Sequence, residues 1–352
     1  MYRGRRSHSI ETPELRVTVL EEGGHIAEIL DKQSGVNPLW TPPWPSIEPS
    51  TYNPATHPQF GQGPESKLLA GIMGHNLCLD LFGGPSEAEA AAGLTVHGEA
   101  SVVRYDVKSD GRELVARATL PVAGLRFERR LSISGAVVRI VETVENLTSQ
   151  DRPIAWTQHV TLGPPFLAPG STEFRVSATR SKVYEQDFAN GRGYLEIGAE
   201  FDWPRAPRID GGVADLRVYS DAPVCAGYTA HLMNPESDQA WFVAFSLASK
   251  LLLGYVWTRA DFPWLGIWDE NCSREQPPWN GETLTRGMEF GVSPMAETRR
   301  AMIDRGCLFG EPCYRWIEAR RMLRAEYCVF LKPAKMIPES VSWDGVEVRI
   351  GR

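Results

Sequence analysis

Seven histidines in 352 residues are few enough to consider singly, and three stand where an imidazole could do acid–base work. His97 closes an apolar approach, Leu94-Thr95-Val96, and is followed at once by Gly98-Glu99. A glycine there permits close backbone approach or an unusual φ, so the ring can project from a strand end into a cleft. His159 follows Trp156 and Gln158 at the end of a strand-like segment, and Pro164-Pro165 stiffens what comes next. His75, between Gly74 and Asn76, points to a tight turn. The best carboxylate is Glu289, inside an apolar segment with Gly287 and Gly291 two residues away on either side. A carboxylate so placed is either paired or holds a raised pKa, because desolvation disfavours its charge. Such groups suit general acid–base catalysis. Each also has a plain structural reading: a satisfied hairpin histidine for His97, a turn residue for His75, a solvent-facing strand position for Glu289.

Aromatic residues suggest what the acid and base would act on. The run Phe262-Pro263-Trp264-Leu265-Gly266-Ile267-Trp268-Asp269-Glu270-Asn271 mixes flat rings with short acids and amides, with Trp257 before it and Trp279 after. A pyranose stacks its C–H face on a ring and offers hydroxyls to side chains of fixed geometry. A buried aromatic core explains some of the 11 tryptophans, but not the acidic and amide residues directly after one of them.

The elements that must carry these residues read as β throughout. Residues 125–133 alternate, with Leu125, Phe127, Leu131 and Ile133 on one face and Arg126, Glu128, Arg130 and Ser132 on the other. Ser134-Gly135 turns the chain into a β-branched strand over 137–144. Residues 15–20, 113–120, 174–178, 241–247 and 346–350 are further strand candidates. Frequent Gly and Pro (32 and 26) punctuate the chain as hairpins require. Ser86 and Glu89 form a capping box for a short helix over 86–92, and a longer helix is expected over 314–323. No βαβ rhythm and no Gly-rich phosphate loop appears. Residues 41–62 form a long excursion of the kind that is usually functional or disordered. The expectation is an all-β fold of large antiparallel sheets with few short helices: a flexible tail over 1–14, then a single domain over 15–352.

Composition excludes several classes. A net charge of −7 with scattered arginines argues against nucleic acid or an anionic membrane as partner. No apolar run reaches the roughly 18 residues of a membrane span. The basic N-terminus lacks the apolar stretch of a signal peptide. A cytoplasmic protein with reduced, mostly buried cysteines is expected, since none of the six forms a C-x-x-C.

Taken together these stretches resemble the galactose mutarotase (aldose 1-epimerase) superfamily over about residues 15–350. The resemblance rests on Gly23-Gly24-His25-Ile26-Ala27 after the first strand and on His97-Gly98 in the first third. It continues with Asn146-Leu147-Thr148 leading to Trp156-Thr157-Gln158-His159, and with Gly287-Met288-Glu289 late in the chain. It implies a β-supersandwich and a reaction at the anomeric carbon of an aldose. Glu289 would be the general base on the C1 hydroxyl, His159 the general acid on the ring oxygen, and His97 a holder of the sugar that helps polarise that oxygen. His75, Asn76, Glu99, Gln158, Trp264, Trp268 and Asp269 would bind the substrate. A base and an acid on opposite sides of one hemiacetal need no metal or cofactor. The sequence departs from the family where an Asn-Arg pair is usual: Gly71-Ile72-Met73-Gly74-His75-Asn76 lacks the arginine, and His97-Gly98 runs into Glu99-Ala100. Those departures mark a divergent branch. Two alternatives stand beside this reading: a carbohydrate-binding protein without turnover, and a metal-assisted enzyme in which His75 and His97, with Glu99 or His159, share an ion.

Overall fold

A computed structural model describes every residue except Phe188, Asn190 and Arg352. In chain order the first strands are β1 (Ser7–Glu11), β2 (Leu15–Leu20), β3 (Ile26–Asp31), β4 (His75–Asp80), β5 (Asp106–Ser109) and β6 (Glu113–Leu120). They are followed by β7 (Leu125–Ser134), β8 (Val137–Asn146), β9 (Arg152–Leu162), β10 (Thr172–Val176), β11 (Ala178–Val183) and β12 (Glu200–Asp202). A small hairpin, β13 (Arg205–Pro207) and β14 (Val213–Asp215), precedes β15 (Cys225–Met233), β16 (Gln239–Ser246), β17 (Leu251–Thr258), β18 (Trp264–Asn271) and β19 (Leu284–Gly291). The chain ends with β20 (Cys307–Leu308), β21 (Glu311–Pro312), β22 (Arg315–Ile317), β23 (Met322–Pro333), β24 (Ser340–Trp343) and β25 (Val348–Gly351).

Two antiparallel sheets dominate. The larger runs β1-β2-β3-β4-β9-β19-β18-β15-β11-β12, with β22 also pairing β9; the smaller runs β10-β16-β17-β23-β8-β7-β6-β5. Their inner faces meet in one apolar core that draws Val17, Ile29, Leu77, Trp156, Val160, Met288 and Phe290 from the larger sheet. From the smaller it draws Phe127, Ile140, Phe242, Tyr255 and Tyr327. This is the all-β architecture that alternation and turn spacing predict, because a period of two lets every strand bury one side.

A polar cluster sits inside that apolar layer. Glu142 accepts from Arg129 Nε (2.7 Å), Tyr327 Oη (2.8 Å), Trp156 Nε1 (3.0 Å) and Gln158 Nε2 (2.6 Å). Gln158 Oε1 lies 3.0 Å from His75 Nε2 and accepts from Arg129 Nη2 at 3.1 Å. The buried charge is tolerable because it is paired and its lone pairs are filled.

Short helices complete the chain. The capping box is present: Ser86 Oγ accepts from the Glu89 amide while Glu89 accepts from the Ser86 amide, opening α2 (Glu87–Ala91), which follows α1 (Ser66–Leu69) and precedes α3 (Arg299–Arg305). The helix expected over 314–323 does not form. Arg315–Ile317 instead pairs with β9, and Met322 begins a twelve-residue strand whose β-branched and aromatic residues continue the core. Nor is the segment before residue 15 a loose tail. β1 pairs with β2 along its length, and Arg5 is fully buried, donating to Glu48, Ser46 and the Gly71 and Glu22 carbonyls. A guanidinium with that many acceptors fixes the chain that bears it. The thiols are free and mostly buried, as expected: Cys78, Cys225, Cys313 and Cys328 are buried, Cys272 is half-buried and Cys307 is exposed. Among the described residues no helix is long and apolar enough to cross a membrane.

Candidate active site

The outer face of the larger sheet carries the site. Across its centre the register aligns Asn76 on β4 with His159 on β9, His159 with Glu289 on β19, and Glu289 with Gly266 on β18. The next row aligns Thr161, Gly287, Trp268 and Tyr228. Side chains alternate across a sheet, so His159 and Glu289 face one way while Gln158, Met288 and Phe290 face the core. This answers why a histidine follows Gln158: one strand serves two environments.

His159 Nε2 and Glu289 Oε1 are 3.1 Å apart, and His159 Nδ1 lies 2.9 Å from Thr161 Oγ1. Both are almost wholly buried. Burial pushes the Glu289 carboxyl up to about 8. Burial, reinforced by the nearby His97 ring, holds His159 well below the usual imidazole range. Loss of hydration thus drives each toward its neutral form. Gly287 makes room for the carboxylate: a Cβ there would collide with Glu289 Oε1.

His97 arrives from a turn rather than a strand. It has φ 68°, Gly98 follows at φ 79°, and a Cβ on Gly98 would run into the Leu79 carbonyl. A left-handed conformation at a non-glycine residue is strained and clusters at functional sites. The ring lies 4.9 Å from that of His159, centroid to centroid. Its Nδ1 is 2.6 Å from the Phe82 carbonyl, which can only accept, so Nδ1 carries the proton and Nε2 is left as an acceptor. Burial lowers its pKa to about 4.

A cavity of about 220 Å³ opens over these groups, walled by Trp268, Trp279, Tyr184, Tyr228, Leu68, Leu69, Ile72, Glu65 and Arg274. Trp268 meets His159 edge-on at 5.9 Å and Trp279 at 6.1 Å, and Trp279 stacks on Trp40. The segment after the 41–62 excursion supplies part of this wall, and Trp44 from the excursion packs edge-on against Trp279 at 5.0 Å.

Of the residues expected from sequence, the structure gathers His97, His159, Glu289 and Trp268 in this cavity. It does not bring the others there. His75 is not in a turn but opens β4, faces the smaller sheet and contacts Gln158 and Tyr255. Gln158 belongs to the inter-sheet polar cluster. Asp269 also faces inward, its carboxylate gripped by Arg286 at 2.7 and 2.9 Å and by Tyr194 Oη at 3.1 Å. Glu99 accepts from the Ala123 amide at 2.8 Å and is not part of the cavity wall. Trp264 shares the outer face but is covered, donating to the Pro312 carbonyl at 2.8 Å. Asn76 flanks His159 on the same face, fully buried, without a hydrogen-bond partner among the described residues. His75 and His97 are thus on opposite sides of the sheet, and no set of three His, Cys, Asp or Glu among the described residues could hold a metal. Sequence reading missed Arg274, Tyr228 and Tyr184. Tyr228 reaches the cavity by pairing opposite Trp268 on a neighbouring strand, and loop residue Arg274 had no periodic signal.

No family model matches the sequence, and no curated protein matches it. The chain is a two-sheet antiparallel sandwich with a His159–Glu289 contact in an aromatic cleft, and solved structures share the sandwich. The galactose mutarotase related enzyme of Lactobacillus acidophilus aligns with a TM-score of 0.61 at 11% identity, over 94% of this chain and 100% of that one. The aldose epimerase homologue of C. elegans aligns at 0.60 and 9% identity, over 94% and 100%. A galactose mutarotase-like protein of Clostridium acetobutylicum aligns at 0.58 and 14% identity, over 92% and 94%. At these identities the likeness shows the fold alone: this chain has the galactose mutarotase-like sandwich fold.

Proposed function

We propose that the chain is a cofactor-independent aldose 1-epimerase-like isomerase acting at the anomeric carbon. The observation that carries this reading is the contact of His159 Nε2 with Glu289 Oε1 in the wall of an aromatic cavity. The two groups are neighbours rather than flanking the substrate from opposite sides, and this suits the chemistry. The C1 hydroxyl and the ring oxygen share one carbon, so an adjacent acid and base can address both. With one proton between them, as carboxylate and imidazolium, Glu289 takes the proton of the C1 hydroxyl while His159 Nε2–H gives one to the ring oxygen. The C1–O5 bond breaks, C1 becomes a carbonyl, and the pair is left as carboxylic acid and neutral imidazole. Rotation about C1–C2 and the reverse transfers close the ring on the other face. Because both forms of the pair are neutral overall, a buried site can hold either without a stranded charge. His97, with Nε2 free to accept, would take a hydrogen bond from a sugar hydroxyl rather than polarise the ring oxygen. Trp268 and Trp279 offer apolar faces for the ring's C–H side.

Exchange NMR of anomeric protons on a panel of aldoses tests this directly. Accelerated α/β exchange that Glu289→Gln abolishes is expected. Sugar binding with no acceleration on any aldose would leave a binding protein in its place.

A further inference from the structure

Arg274 is the one arginine in the cavity wall among the described residues. Its guanidinium carbon sits 4.6 Å from the Trp279 ring centroid and 5.5 Å from that of Trp268. Its Nε leans on Glu270 Oε2 at 3.3 Å. Glu270 is buried and already accepts from the Ser273 amide and hydroxyl and from the Arg274 amide. The side chain is therefore fixed on two aromatic planes and by its ion pair with Glu270, while Nη1 and Nη2 donate no hydrogen bond among the described residues. Glu65, the other acid of the wall besides Glu289, is not within ion-pair distance of it. A stacked guanidinium with its terminal fork unfilled is built to receive a planar or tetrahedral oxyanion in two parallel hydrogen bonds. Trp268 touches both this arginine and His159, so fork and acid–base pair line the same cavity.

Resting on the isomerase reading above, we infer that the preferred substrate is an aldose bearing an oxyanion at the end away from C1, held by Arg274. The oxyanion is the carboxylate of a hexuronate or the phosphate of a hexose 6-phosphate. Arg274 is a specificity-determining residue and not a replacement for the family arginine missing beside Asn76, which belongs to a different strand.

The test compares glucose, glucuronate and glucose 6-phosphate in anomeric-exchange NMR, together with calorimetric binding of each, for wild type, Arg274→Gln and Arg274→Lys. Wild type is expected to favour at least one anionic sugar over glucose. In Arg274→Gln the ratio of anionic to neutral kcat/KM falls about 10- to 100-fold, as loss of a charged bidentate contact requires. Arg274→Lys restores part of it, and whichever anion gains more names the source. Equal use of glucose and both anions, or a ratio unmoved by Arg274→Gln, overturns the inference and leaves the isomerase standing. Arg274-dependent binding of an anionic sugar without exchange keeps the inference and sinks the isomerase. Absence of any preference in binding and exchange sinks the inference outright.

Discussion

Replacing Glu289 with glutamine should make the protein more stable as it makes it inactive, and the gain should depend on pH. Burial raises the native carboxyl to about 8 from an ordinary 4.5. Between those values the unfolded chain has released a proton that the native state still holds, so wild-type stability falls as pH rises through the window and levels off above it. At about 1.4 kcal/mol for each tenfold change in proton concentration, the ceiling on this loss is about 5 kcal/mol. The hydrogen bond to His159 offsets about 1.5–3 kcal/mol of it when the carboxylate is charged, leaving about 2–3.5 kcal/mol. Glutamine keeps the shape and the hydrogen-bonding capacity but has no charge to desolvate. Urea unfolding of wild type and Glu289→Gln across pH 4 to 9 should therefore give similar stabilities near pH 4 and a variant more stable by about 2–3.5 kcal/mol near pH 9. A pH-independent difference, or a wild type more stable at pH 9, would refute the claim that burial strains this carboxylate.

Turnover has its own pH signature: the active pair carries one proton, so kcat/KM should fall as pH rises through about 8, where Glu289 releases it. A rate that keeps climbing above that pH would make Glu289 a lone base. His159→Asn should lower kcat about 10²- to 10⁴-fold with sugar binding retained, measured by exchange NMR and calorimetry. Gly287→Ala should push the Glu289 carboxylate aside and cost about 100-fold in kcat/KM with little change in unfolding midpoint, since only a flexible side-chain end must move. Asp269→Ala should do the reverse. It strands the buried Arg286 and costs about 3–5 kcal/mol in urea unfolding, while the protein that remains folded stays active.

Alternation made the fold legible, because period two is written directly in 125–133 and 137–144 and the structure pairs those segments as β7 and β8. It also made His159 and Glu289 conspicuous as polar residues in apolar strands. It could not say which apolar environment each polar residue entered. Gln158 and Asp269 looked like ligands for a sugar, yet a sheet buried on both sides has polar company on its inner face too, and only pairing with Arg129, Glu142 and Arg286 reveals it. Residues 314–323 misled because alternating aromatic and basic residues fit a short edge strand as well as a helix. Arg5 looked like part of a frayed end because its acceptors are more than 15 residues away in sequence. Arg274 and Tyr228 come to the cavity through a loop and a strand pairing, neither of which is local information.

The inter-sheet cluster and the acid–base pair share β9 but no hydrogen bond. Even-numbered positions from Ile154 to Leu162 pack between the two sheets, while odd-numbered ones face outward, where His159 lines the cavity and Ala155, Thr157 and Thr161 are buried against other segments. Substitution of His159 itself therefore leaves the inter-sheet packing intact, and a lineage can exchange or lose its chemistry at that position while the scaffold persists. A single inserted residue in β9, by contrast, would swap the two faces at once, sending Gln158 to the cavity and His159 into the core. Selection on this strand should thus tolerate other letters at His159 and forbid a change of length, a pattern that saturation and insertion libraries over 152–162 would make visible.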